Sequence, residues 1–265
     1  MTQVTLNKCD RNPFVEVEKA EMTIGDKKTG KHGIMVHLQE DDKYDDFEEP
    51  VCVETVSDDY QLVKNRTVNQ IAMDLLTRME TKFTEQRTMF NGKRYNQRWL
   101  IDDYSFEAKV GQVVGLGLQC FNSYDKTCQA GVSFYALVRQ CSNGMDVDWL
   151  LGEFRFRHIG NGDFKNEFES AFGFLSTIQN TSNFAKFKTE LRGLTKEEYD
   201  FESMQEMARN VPVSGRLSGE ALLIAEEPTR WGLMNGYTNI LSKKPSFAND
   251  STNRQVMRHF LTTGL

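Results

Sequence analysis

The sequence has little of what several classes of protein require. Its five cysteines are irregularly spaced and include no Cys-x-x-Cys pair, so neither a disulfide framework nor a structural zinc site is indicated. The four histidines show no metal-ligand spacing, and the five prolines form no long linker. No apolar run approaches the roughly 18 residues of a membrane span. We therefore expect a cytoplasmic protein without metal, cofactor or membrane partner.

Signatures of enzymes are also scarce. There is no phosphate-binding P-loop, and Gly115-Leu116-Gly117 lacks the third glycine of a dinucleotide-binding loop because position 120 is Cys. Glu107-Ala108-Lys109, with Asp102 and Asp103 upstream, matches half of a metal-dependent nuclease site. Such tripeptides are common, so the sequence favours a non-enzymatic protein and keeps a nuclease as a minor alternative.

What the chain does contain is a folded core rich in phenylalanine. Hydrophobic residues make up 39% of the 265 positions and 18 residues are Phe, which excludes an intrinsically disordered chain. Apolar runs predict strands at 14–17, 33–38, 51–56 and 112–121, and three- and four-residue spacings predict helices at 65–79, 164–178, 199–211, 217–224, 231–241 and 254–261. Strands mostly first and helices mostly later indicate an α+β fold.

We expect a single domain over residues 1–265, with a strand-rich part at 1–160 and a helical part at 161–265 packed on it. Charge is unevenly distributed along it. Residues 40–59 contain ten acidic residues and one lysine, a net charge of −9, whereas the whole chain carries −6 and its remainder therefore +3. Screening limits the field of this acidic segment to roughly 8 Å, so the remaining chain can still bind an anion.

The dipeptide Asn91-Gly92 predicts a β-hairpin, because Asn-Gly supplies the two positive φ angles of a type I′ turn. A two-residue loop would place Phe90 opposite Lys93. Alternation then puts Phe90, Lys93, Tyr95 and Trp99 on one face, and Arg87, Arg94 and Arg98 on the other beside Glu85. Two interpretations remain open: a basic ribbon that follows phosphates while aromatic rings stack on bases, or a core face backed by solvated arginines.

A second segment repeats the pattern. Between Glu153 and Ile159, phenylalanines alternate with Arg155 and Arg157, and Lys165 follows a Gly-Asn-Gly turn. A half-buried strand with its arginines in solvent explains this pattern fully. If the two arginine-bearing strands share a sheet, however, they form one basic groove.

Several spaced motifs resemble those of the phage/plasmid-like family of unknown function. They are Tyr60-Gln61-Leu62-Val63-Lys64-Asn65, Asn122-Ser123-Tyr124-Asp125, Arg139 to Met145, Arg157-His158, and Trp231-Gly232-Leu233-Met234-Asn235-Gly236-Tyr237-Thr238. The resemblance covers roughly residues 60–240, and several motifs in order are more specific than any one of them. The sequence departs from the family pattern at Lys126-Thr127, where Gly-Ser is usual, and at Gly236, where alanine is usual.

The resemblance implies a phage or plasmid protein in the cytoplasm of a host cell, without implying a chemistry. We expect a non-enzymatic single-stranded-DNA-binding protein of phage transcription or replication, with a phage or host RNA polymerase as a candidate partner and a homo-oligomer as an option. Its predicted contacts are Arg87, Lys93, Arg94, Tyr95, Arg98, Trp99, Arg155, Arg157 and Lys165. The alternative is a host-takeover or anti-defence protein whose acidic segment imitates DNA and binds a host protein.

Overall fold

A computed structural model describes residues 10–38, 50–138, 143–146, 153–158, 172–173, 182–244 and 246–262. Its strands are β1 (Val17–Ile24), β2 (Lys27–Val36), β3 (Val51–Ser57), β4 (Phe83–Phe90), β5 (Arg94–Lys109), β6 (Gln112–Ser123), β7 (Ala130–Val138), β8 (Asn143–Asp146) and β9 (Glu153–Phe156). Its helices are α1 (Asn65–Arg78), α2 (Ser182–Gly193), α3 (Phe201–Asn210), α4 (Gly215–Ile224), α5 (Arg230–Lys243) and α6 (Phe247–Thr262). The fold is α+β, as the sequence predicts.

The strands form two antiparallel sheets. The smaller has the order β1-β2-β3, and the larger has the order β4-β5-β6-β7-β8, with β9 pairing β7. β8 and β9 pair with different stretches of β7, since β8 lies against Tyr135–Val138 and β9 against Ala130–Ser133. The two arginine-bearing segments therefore belong to one sheet, which sequence alone left open.

The hairpin between β4 and β5 forms, with a register two residues from the predicted one. Phe90 lies opposite Tyr95 rather than Lys93, and Gly92, at a φ of +89°, is the residue with a left-handed backbone. The Asn91 side chain instead accepts hydrogen bonds from the backbone N–H groups of Lys93 and Arg94 at 3.1 and 2.8 Å. Because side chains alternate with a period of two, a shift of two residues leaves the predicted arginine face intact.

Glu85 is the exception. The register changes between Glu85 and Arg87, which is the signature of a β-bulge at Gln86, and Glu85 lies opposite Trp99. The prediction that Glu85 sits beside the arginines was therefore wrong. Its carboxylate accepts a hydrogen bond from the Thr88 hydroxyl at 2.7 Å instead.

One face of the larger sheet belongs to the hydrophobic core. Helix α1 contacts β6 and β7 and buries Val68, Ala72, Leu75 and Leu76 completely. The helix begins at Asn65 as predicted, and the Asn65 side chain ties it to neighbouring segments: its Nδ2 donates to the Pro13 carbonyl, and its Oδ1 accepts from Asn122. The same continuous core includes residues of both sheets and of the later helices.

Helices α3, α4 and α5 begin within two residues of their predicted starts, whereas α6 begins seven residues earlier than predicted and α2 was not among the predicted helices. Asp200, Ser214 and Thr229 cap α3, α4 and α5 by accepting backbone hydrogen bonds at 2.8, 3.3 and 3.0 Å. The helix expected at 164–178 lies outside the described residues apart from 172–173, which are helical. No helix among the described residues is long and apolar enough to cross a lipid bilayer.

Candidate nucleic-acid interface

The face of the larger sheet opposite α1 carries an arginine-lined cavity of about 160 Å³, which we call the arginine cleft. Strands β5, β6 and β9 supply its floor, and the first half of α6 supplies a wall. Its charged lining residues are Arg94, Arg98, Arg155, Arg254 and Asp250, and its aromatic lining residues are Phe121, Phe247 and Tyr95. Four guanidinium groups thus surround one carboxylate, which leaves the lining with an excess of positive charge.

The strand register explains why these residues meet. Asn96 of β5 lies opposite Phe121 of β6, Phe121 opposite Gly131 of β7, and Gly131 opposite Arg155 of β9. Cross-strand partners share a face of the sheet, so side chains from segments up to 60 residues apart form a single row. The next row contains Arg98, and the arginines of β5 and β9 therefore face the same cleft.

Arg98 is fixed in place by surrounding groups. Its Nε donates to Gln119 Oε1 at 2.9 Å, and Gln119 Nε2 in turn donates to the Ser133 hydroxyl at 2.9 Å. The guanidinium lies 5.2 Å from the centroid of the Tyr135 ring and 3.4 Å from an oxygen of Asp250. With 8% of its side chain exposed, Arg98 has its charge satisfied within the protein.

Asp250 also binds Arg87, so that a single carboxylate of α6 joins two arginines of the sheet. Arg87 NH2 donates to both oxygens of Asp250 at 2.8 and 2.9 Å, and both side chains are 20% exposed. Paired and partly buried charges of this kind are costly to separate. We therefore assign Arg87 and Arg98 mainly to holding α6 against the sheet.

Arg94 and Arg155 have a different environment. Arg94 lies 3.7 Å from Asp125 with 39% of its side chain exposed, and Arg155 lies 2.8 Å from Glu153 with 36% exposed. Their partners Asp125 and Glu153 are 14% and 31% exposed. Arg94 and Arg155 are therefore more accessible to a phosphate than Arg98, of which 8% is exposed.

The predicted stacking residues are unavailable. Tyr95 and Trp99 are 1% and 2% exposed, and Phe90 is fully buried, because all three lie on the face that packs in the core. Burial also raises the pKa of Tyr95, whose hydroxyl accepts a hydrogen bond from Asn69 of α1 at 3.1 Å. A base has no access to these rings, so a stacking role for Tyr95 and Trp99 was wrong.

Two other aromatic rings lie in the cleft, and no sequence pattern indicated either of them. Phe121 is half-buried, with the Arg155 guanidinium 5.6 Å from its ring centroid. A Cβ atom at Gly131 would lie 2.9 Å from Phe121 Cζ, so the glycine provides the room for this ring to lie over β7. Phe247, also half-buried, begins α6 on the opposite wall.

The remaining predicted contacts do not line the cleft. Lys93 lies half-buried in the hairpin turn, and Arg157 is exposed just beyond the end of β9. Lys165 lies outside the described residues. Arg254, which no sequence pattern indicated, does line the cleft from α6.

A cysteine, Cys128, also lines the cleft. Burial raises its pKa, and its carbonyl oxygen and backbone N–H are both bonded to the Ser123 hydroxyl, at 2.8 and 3.0 Å. A thiol with a raised pKa is protonated at neutral pH and is a poor nucleophile. The cleft is therefore equipped for binding an anion rather than for thiolate chemistry.

The residues that suggested a nuclease site are bonded to other groups of the protein. Glu107 accepts a hydrogen bond from the backbone N–H of Gly111 at 2.7 Å, and Lys109 pairs with Glu227 at 2.7 Å. Asp103 accepts from the Thr81 hydroxyl at 2.6 Å. Within the described ranges, no three His, Cys, Asp or Glu side chains are grouped so that they could hold a metal ion.

The family model described as "Domain of unknown function (DUF932)" matches residues 52–260, and the chain belongs to this family. The match spans the larger sheet, α1 and nearly all of the later helices, so the arginine cleft lies within the family domain. No curated protein and no solved structure matches the chain. Membership of an uncharacterised family agrees with the motifs found between residues 60 and 240.

Proposed function

We propose that this protein is a non-enzymatic single-stranded-DNA-binding protein that holds the phosphate backbone in the arginine cleft. The observation that carries the proposal is the convergence of Arg94, Arg98, Arg155 and Arg254, from β5, β9 and α6, on one cavity. Phosphate contacts from arginine supply most of the affinity of sequence-independent DNA binding.

The arginines divide into two roles. Arg98 and its partner Asp250 set the shape of the cleft, because their ion pair and the bond to Gln119 are mostly buried. Arg94 and Arg155 contact the phosphates, because 39% and 36% of their side chains are exposed, against 8% for Arg98. Arginine suits this role since its planar fork matches a phosphate in a bidentate manner.

Preference for a single strand rests on the two accessible rings. Phe121 and Phe247 line the cleft beside the arginines. Stacking of an unpaired base on such a ring contributes about 1 to 3 kcal/mol, and it requires a base face that a duplex keeps inside its own stack. Phosphate and ring contacts at one site therefore favour single-stranded DNA.

The biological setting is part of the same proposal. The motifs that resemble phage and plasmid proteins support a role in phage transcription or replication, in the host cytoplasm, with an RNA polymerase as the candidate partner. A cofactor that binds melted DNA next to a polymerase would use the cleft for the strand and other surfaces for the enzyme.

The proposal is tested by fluorescence anisotropy of a labelled single strand of about 20 nucleotides, with the matching duplex as the control. We expect the single strand to bind more tightly than the duplex, with an affinity that falls steeply as salt increases. Absence of binding to the single strand at low salt would refute it.

A further inference from the structure

A second cavity, of about 240 Å³, lies between α4 and α5 and is separate from the arginine cleft. One wall is a face of α5 that carries Trp231, Asn235 and Asn239. The opposite wall is the end of α4 with the following segment, including Ile224 and Glu227. We call it the amide cavity.

The amide cavity exists because α5 has glycines where α4 comes close. A Cβ atom at Gly236 would lie 2.4 Å from the Ala221 carbonyl oxygen, and one at Gly232 would lie 2.2 Å from the Glu227 carbonyl oxygen. Both are far below a normal contact distance. The two glycines therefore let the backbone of α4 and of the following segment approach α5, which places Glu227 next to Asn235 and Asn239 in the lining.

Three oxygen atoms of this lining are buried without a hydrogen-bond partner among the described residues: Glu227 Oε2, Asn235 Oδ1 and Asn239 Oδ1. A buried polar atom without a partner is costly, and native structures rarely keep three at one cavity. All three are acceptors, so their shared complement is a group that donates several hydrogen bonds.

The charge of the lining favours a positively charged donor. The other carboxylate oxygen of Glu227 already binds an ammonium group, since Lys109 Nζ lies 2.7 Å away. The charged lining residues are Glu226, Glu227 and Lys243, a net charge of −1, and Lys243 is exposed. The indole of Trp231 is fully buried in the wall and donates its Nε1–H to Gln112, so it shapes the cavity rather than contacting a ligand.

We infer that the amide cavity binds a guanidinium or primary ammonium group, through Glu227, Asn235 and Asn239. The group belongs either to a free small cation or to an arginine or lysine side chain of a peptide.

The test is isothermal titration calorimetry of the full chain with agmatine, which carries both cationic groups, and with butanol as the neutral probe. We expect saturable binding of agmatine, binding at least about tenfold weaker in Glu227→Gln, and tighter binding in Asn239→Asp. A capped Gly-Arg-Gly peptide distinguishes the two sources: its binding assigns the site to a protein side chain, and binding of agmatine alone assigns it to a free cation.

Two further variants serve as controls. Lys109→Met removes the Glu227 ion pair but keeps the acceptors, so agmatine binding is retained or tightened. Arg155→Ala lies in the other cavity and leaves agmatine binding unchanged, so a failure here is distinct from a failure of DNA binding. Absence of agmatine binding, equal binding of butanol, or loss of binding in Lys109→Met would overturn the inference.

Discussion

Arg87 and Asp250 lie 163 residues apart in the chain and form a two-pronged ion pair, with the Arg87 guanidinium 2.8 and 2.9 Å from the two carboxylate oxygens. The pair ties the first residues of α6 to β4 at the edge of the larger sheet. Arg98 of β5 shares the same carboxylate at 3.4 Å. The wall of the arginine cleft is therefore fixed by a three-residue charge cluster that only tertiary folding assembles.

Asp250→Asn is expected to destabilise the protein by about 2 kcal/mol. The substitution keeps the size of the side chain and removes the charge that compensates Arg87 and Arg98. Urea unfolding measures the change. Glu220→Gln, in the exposed pair with Arg216, is the control and is expected to leave the stability unchanged. Equal stability of Asp250→Asn and the unchanged protein would contradict the structural role of the cluster.

Two glycine-to-alanine substitutions in neighbouring helices are expected to have opposite effects. Gly236→Ala places a Cβ atom against the Ala221 carbonyl and forces α4 and α5 apart, at a cost of about 1 to 3 kcal/mol. Gly219→Ala meets open space on the exposed side of α4 and gains about 0.5 to 1 kcal/mol from the better helix propensity of alanine. Thermal or urea unfolding measures whether each variant is more or less stable than the unchanged protein. A stabilising Gly236→Ala would show that the helices are not in close contact.

The stability of the protein is expected to fall as the pH drops below 6.5, the ordinary pKa of a histidine side chain. His158 is stacked on Tyr60, with Nδ1 3.0 Å from the Tyr60 hydroxyl, and burial lowers its pKa. Below 6.5 the unfolded chain takes up a proton at His158 that the folded chain resists, so unfolding is favoured until the pH reaches the lowered pKa.

Urea unfolding at about pH 7.5 and about pH 5.5 measures this effect. His158→Phe keeps a ring against Tyr60 but cannot be protonated, and its stability is expected to depend less on pH. His259, whose pKa burial also lowers, remains in that variant and accounts for a residual slope. An identical pH dependence in both proteins would rule out His158 as its source.

The sequence predicts the arginine face of the hairpin even though it predicts the register wrongly. Alternation depends only on whether a residue is at an odd or an even position, so a shift of two residues leaves Arg87, Arg94 and Arg98 together. The same alternation could not show which face packs in the core. Which face is buried depends on where α1 packs. The packing of α1 places Tyr95 and Trp99 on the buried face.

Local sequence patterns could not predict the wall of the arginine cleft that α6 forms. Asp250 and Arg254 lie on α6, and nothing in their own neighbourhood indicates that they face β5. β7, by contrast, has a visible local signal, because Ala130–Val138 is a nearly continuous apolar run of the kind that forms a strand buried on both faces. All nine of its residues are buried.

The central claim is tested most directly by the salt dependence of single-stranded-DNA binding in Arg94→Ala/Arg155→Ala. Both arginine side chains are more than a third exposed, whereas Asp125 is 14% exposed, so the double variant is expected to fold with a modest loss of stability, which urea unfolding measures. Loss of two phosphate contacts predicts weaker binding and a slope of log affinity against log salt that is smaller by about 1.4, since each contact to a single strand contributes about 0.7. Arg216→Ala, an exposed arginine on α4, is the matched control and keeps the full slope. Binding with an unchanged slope in the double variant, or no binding by the unchanged protein at low salt, would contradict the account.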